Sequence, residues 1–337
     1  MLFALAVPCA LAIPSARAAF FCATTAAEFQ AALDSAETNN EDDQISVAGG
    51  HYLLTSGLHY SSGQLDSIVI VGGWNDDCSE YINAPTILDG QSATRPLHVA
   101  SHVGDINIQG LIFQNGLSTN NHGGGLLVTN EIGDIRVEGN FFFNNRADDY
   151  AGGMLATSTI GTQRIRNNLF AGNTAAAIGA VELCQTGGEG YFTSNTVIAN
   201  TSDSDLSVGG LHTECSAHFN LSNNIIWGNN ANGAADYGTT IGNSRYNNDI
   251  GTLAEGTFGD PVENELSVDP QFCQTLGCDL FELTRNSPLV DVGLDAPPGG
   301  LAPVDLARHD RIIGPHVDIG AYENFRIFIG VFEVPSE

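Results

Sequence analysis

The sequence contains no lysine. All 11 of its basic residues are arginines, set against 39 acidic residues, for a net charge of −28. So few cations exclude a nucleic-acid partner, which needs a basic footprint. They also disfavour an anionic membrane surface. An anionic polysaccharide would find only local arginines or bridging cations. The plain reading of the acidity is solubility of an exported protein. The chain also lacks CxxC pairs, which argues against a structural zinc site. Apart from one short stretch near the start, it lacks helical periodicity. No long polar linker divides its 337 residues, so one elongated domain or two closely packed ones fit.

The start, "MLFALAVPCALAIPSARAAF", reads as a signal peptide over residues 1–18, with Ala16-Arg17-Ala18 suited to cleavage. It has no basic n-region, which leaves the true start open. The apolar run is too short for a membrane span and carries Pro8 and Pro14. Six cysteines follow: Cys22, Cys78, Cys184, Cys215, Cys273 and Cys278. An even number in an exported chain implies disulfides. Cys273 and Cys278 suit a local loop. Cys184 and Cys215 are 31 apart, about one repeat. Cys22 and Cys78 remain for each other. Other pairings stay open.

What the chain has in abundance is repetition. "GNFFFNN", "NLFAGN", "NTVIAN" and "NIIWGN" place Asn140, Asn168, Asn195 and Asn224 at spacings of 28, 27 and 29. A second ladder, "GGGLLV", "GGMLA", "GAVEL" and "GGLHT", keeps nearly the same period. Short alternating segments such as "DIRVEG" lie between them. About three short strands per repeat, with no helix inside, predict an all-β, right-handed parallel β-helix (a β-solenoid) of about 28 residues per coil. Asparagine tolerates the left-handed backbone of a tight corner, and stacked amides can bond in a ladder. A row of sugar-binding amides is the alternative reading. The expected organisation is a capping region over 19–44, coils over 45–265, an irregular C-terminal cap over 266–325 and a tail over 326–337. In the first, Thr25 and Glu28 form a capping box, and Phe29, Ala32, Leu33 and Ala36 make one apolar helix face. The strands then start at 42–54.

"QISVAGGHY", "IVIVGGW" and "PTILDGQ" resemble the opening of bacterial parallel β-helix proteins of the pectin-lyase-like superfamily. "VDPQF", "FELTRNSPLVDVG", "VDLARHDRIIG" and "VDIGAYE" come in the order seen in the choice-of-anchor Q domain, and the likeness covers roughly 45–333. It implies a secreted or surface-attached protein with no established reaction. No LPXTG motif, hydrophobic tail or lysine cluster is read here, so the mode of attachment stays open between free secretion and an unrecognised sorting tail. Asp291, Asp305, Arg311, Asp318 and Glu323 match its polar positions. They read as an arginine held between carboxylates that fixes the cap, or else as a site.

Many proteins of this fold cleave polysaccharides. A lyase needs a base and a cationic subsite, and lysine is absent. Of the Asn-Thr-Asp, Asp-Asp and Gly-His-Gly set of a polygalacturonase, only Asp148-Asp149 is present. Aligning the glycine ladder puts Glu182 one coil from His212, with Glu214 two residues further on the same outward face. A carboxylate beside an imidazole suits acid–base work; the alternative is a solvated charge ladder. A one-residue slip would turn His212 inward. Asp148, Asp149, Asp203 and Asp205 border this place. Asp203 and Asp205 offer oxygen ligands for calcium, without a complete calcium motif, or are solvated loop acids. Apart from that calcium, no cofactor is expected. The stretch 238–265 reads as a long excursion, and Trp74 and Trp227 as sugar platforms or packing. The leading expectation is a non-catalytic surface or matrix protein that binds glycans through its solenoid face, with no membrane span in the mature chain. The rival is a polysaccharide lyase or glycoside hydrolase. The sequence fixes no oligomeric state.

Overall fold

A computed structural model describes residues 18–119, 121–204, 207–229, 235–257, 259–274 and 278–324. Residues 1–17 of the expected signal peptide, Asp205 and the expected tail, 326–337, lie outside the described residues.

The chain winds into a parallel β-solenoid of about eight turns, with coils of about 28 residues. Its strands stack into a ten-stranded, an eight-stranded, a seven-stranded and a four-stranded sheet. Every named strand pairing is parallel, as chains that repeat once per coil must be. Inward positions form rows one strand spacing apart. Ile70, Ile108, Val137, Ile165, Phe192 and Leu221 are in register and fully buried.

"NFFFN" resolves by alternation. Phe142 points inward and stacks between Phe113 and Phe170 at 4.8 and 4.5 Å. Phe141 and Phe143 point outward, under the irregular region that follows the coils. That region therefore covers a flank of the solenoid. Leu306, Ala321 and Tyr322 pack on Leu169, Ala171 and Ile198. Ile319 and Leu289 pack on Ile225.

The asparagines form the expected stack, and there is a second one. Asn140, Asn168, Asn195, Asn224 and Asn248 hand on hydrogen bonds from backbone N–H and side-chain Nδ2 to the next Oδ1. Asn145, Asn173, Asn200 and Asn229 do the same, ending on Asp236. The corner conformation differs from expectation. The left-handed residue is the one before each ladder asparagine: Gly139, Asn167, Ser194 and Asn223 have φ of 65°, 58°, 54° and 56°. The ladder asparagines keep ordinary backbone and are selected for their amides.

The capping helix, Ala26–Ala36, buries Phe29, Ala32, Leu33 and Ala36 as expected. Thr25 Oγ1 accepts from Glu28 N–H, but Glu28 reaches back to the N–H and hydroxyl of Thr24 rather than to Thr25. A strand that the sequence did not reveal, Ala19–Ala23, precedes the helix and pairs with Asp43–Ala48. The stretch 238–265 is not an excursion. It supplies a further coil, with strands Asn243–Tyr246, Asp249–Ile250 and Gly259–Glu263. Cysteines pair 22–78, 184–215 and 273–278. Among the described residues, no helix is long and apolar enough to cross a membrane.

Candidate functional site

The seven-stranded sheet runs from Leu58–Ser62 to Ala235–Thr239. Its outward side chains also stack in register. His59, His98, Leu127, Leu155, Glu182 and His212 form one row. Ser61, Ala100, Thr129, Thr157, Cys184 and Glu214 form the next. The glycine-ladder alignment thus holds without a slip: Glu182 faces His212 and Cys184 faces Glu214. The 31-residue cysteine spacing reflects a diagonal bridge. Cys215 is paired in register with inward Gln185, but its left-handed backbone, φ 74°, turns it back towards Cys184.

Glu182, His212 and Glu214 each offer a ligand atom, and these atoms lie within 4.8 Å of one another. Glu182 is only 6% exposed although it is on the outward row. Burial, then the charge of Glu214 and a hydrogen bond with it, push its carboxyl up to about 8. Burial holds the His212 imidazole below its ordinary range, against the opposing pull of Glu214. Both shifts favour the uncharged forms, a protonated Glu182 carboxyl and a neutral His212 imidazole. The Nδ1 atoms of His212 and of His122 are shut off from solvent without a hydrogen-bond partner.

These groups line a depression of about 310 Å³ with His122, Tyr150, Leu155, Thr157 and Ile178. The His122 and Tyr150 rings lie 5.1 Å apart. A second depression, of about 280 Å³, lies on the same sheet and shares Thr157; it is lined by Ser61, Thr129, Asn130 and other mostly polar residues. Leu155 lies in the "GGMLA" segment, but the sequence motifs singled out neither it nor Thr157. His122 and Tyr150 were not singled out either, although Tyr150 stands in register with Ile178 and Val208 just before the glycine ladder.

The neighbouring acids behave differently. Asp203 pairs with Arg146 at 3.0 Å, both about half exposed. Asp148 is exposed and Asp149 half-buried. None of the three joins a converging ligand set among the described residues. Trp227 packs with Ile225 beneath the flanking region. Trp74 lies edge-on between Phe20 and Tyr81.

In the flanking region, Arg311 is buried. It meets Glu323 at 3.3 Å and donates to the carbonyls of Asp318 and Gly320. Asp318 accepts from the N–H groups of Asp291 and Asn324, and Asp305 accepts from that of Glu323. All these bonds tie loop to loop within the flanking region. A larger cavity, about 450 Å³, lies between part of it and the eight-stranded sheet. Its lining includes Phe141, Phe143, Leu306 and Arg308, and Arg308 is engaged over the Tyr81 ring at 5.1 Å.

No family model matches the chain, and no curated protein or solved structure matches it.

Proposed function

We propose that this is an exported, non-catalytic β-helix protein that binds a linear, neutral, hydroxyl-rich glycan along the outer face of its seven-stranded sheet. The observation that carries the reading is that two depressions on this face meet at Thr157. Together they reach across the strands from Ser61 to Glu214. Their chemistry suits sugar hydroxyls. Ser61, Thr129, Thr157 and Asn130 offer short polar groups, and Tyr150, 42% exposed, offers a ring face. No arginine lines either depression, and Glu131 and Glu214 disfavour a uronate there. Export is supported by the signal-like start and by three disulfides. The quoted motifs carry the resemblance to pectin-lyase-like β-helices with a choice-of-anchor Q region, and surface attachment is part of that resemblance.

One observation favours the rival, a polysaccharide-active enzyme. Burial and the neighbouring Glu214 raise the Glu182 carboxyl to about 8, and a carboxyl group that holds its proton is what a glycosidase uses as general acid. The pair is close-set, with ligand oxygens within 4.8 Å, which leaves little room for a glycosidic oxygen between them.

A glycan array read together with a product assay tests both. We expect retention of neutral oligosaccharides, no retention of uronates, loss of signal in Tyr150→Ala and no cleavage products. Preference for uronates, or no glycan retained, contradicts the proposal. Released products that vanish in Glu182→Gln establish the enzyme instead.

A further inference from the structure

We propose that Glu182, His212 and Glu214 bind one divalent transition-metal ion of the zinc class. The inference is independent of the glycan reading, since it rests on the donor set alone. Three side chains from two neighbouring strands bring ligand atoms within 4.8 Å of one another. Zinc holds such atoms at about 2.0–2.2 Å from itself, hence roughly 3–3.5 Å apart. Small side-chain rotations close the difference.

Two further observations point to an occupant. His212 Nδ1 is fully buried and has no hydrogen-bond partner, an uncommon state for a ring nitrogen. Glu182 is more than nine-tenths buried, and its carboxyl is set against that of Glu214. A cation bridging the two carboxylates satisfies both and gives the imidazole a lone-pair partner.

The donor set also selects the metal. Calcium takes about six to eight oxygen ligands. Here one donor is an imidazole and only two are carboxylates, which suits zinc and its neighbours. Three protein ligands leave a fourth position facing the depression. The Cys184–Cys215 disulfide ties together the two strands that carry all three ligands, so the donors are held in place before the ion arrives.

The test is titration calorimetry on the tag-free exported chain after chelator treatment, with zinc chloride and calcium chloride as separate probes and no glycan present. We expect one zinc per chain and no saturable calcium binding at these residues. We expect Glu182→Gln and Glu214→Gln each to weaken zinc by at least about tenfold, and an exposed control, His316→Ala, to leave it unchanged. Both glutamine variants relieve the contact between carboxyl groups, so folding is not at risk; a thermal melt verifies it. Cobalt in place of zinc gives visible absorption bands that report a nitrogen–oxygen site, lost in His212→Asn. Absence of zinc binding overturns the proposal. So does zinc binding that survives a combined Glu182→Gln, Glu214→Gln variant, or calcium bound in preference to zinc.

Discussion

Each ladder asparagine makes several bonds that no other residue type can make together. Asn195 accepts from both the N–H and the Nδ2 of Asn168, at 2.9 and 3.0 Å, and donates to the Ile165 carbonyl and Asn224 Oδ1. Asn195→Ala strands these buried groups, each at a cost of about 1–3 kcal/mol. The expected loss is therefore on the order of 2–4 kcal/mol, read from urea unfolding. A loss near zero would remove the ladder from the stability argument. Asp249 is the opposite case. It occupies a buried position in register with Ile225, and its Oδ2 has no partner. Burial, with the charges of Asp236 and Asp269, raises it from 3.8 to about 7. Across that window the native state keeps a proton that the unfolded chain has released, so stability falls as pH rises. Asp249→Asn should raise stability at pH 8 by on the order of 2 kcal/mol and change little at pH 4. Equal effects at both pH values would contradict the assignment. At this scale the sequence was readable where the repeat carried the signal. Glu182 and His212 could be matched because their coils share a glycine frame. His122 and Tyr150 share that frame one coil apart, but were missed because neither residue type recurs in the repeated motifs.

At the scale of elements, the helix does more than cover the core. It completes the hydrogen bonding of the exposed edge strand Leu58–Ser62. Gln30 donates to the His59 carbonyl and accepts from its N–H, and Glu37 accepts from the Ser61 N–H. Helix side chains thus stand in for the missing strand, which blocks edge-to-edge pairing. In a Gln30→Ala, Glu37→Ala variant, the amides of His59 and Ser61 should exchange with deuterium at least about tenfold faster, while global stability changes by less than about 1 kcal/mol. Unchanged protection would show that the edge is closed by something else. The helix was legible from its cap residues and apolar spacing. The strand Ala19–Ala23 was not. Its Phe20 is 55% exposed, so hydrophobic alternation does not mark it. Pairing with Asp43–Ala48 and the Cys22–Cys78 bridge hold it instead.

At the scale of the whole molecule, the two long surfaces are used differently. The eight-stranded sheet is partly covered by the flanking region, which explains its outward phenylalanines. The seven-stranded sheet keeps two depressions that meet at Thr157. The solenoid itself was legible from the 27–29-residue spacing, because stacking forces equivalent residues into register. The course of the flanking region was not, because its contacts are specific to single loops. The strands from Ser61 to Glu214 are five steps apart, about 24 Å at the usual strand spacing. A linear ligand along this face should therefore gain affinity with length until it spans that distance. The most direct measurement is the dissociation constant of a neutral oligosaccharide series of increasing length, in the wild type and in Thr157→Ala. The account predicts affinity that climbs with each added unit to about 24 Å, then levels off, and a gain cut short in the variant. Binding that is equal for monosaccharide and oligosaccharide, or absent throughout the series, would contradict it.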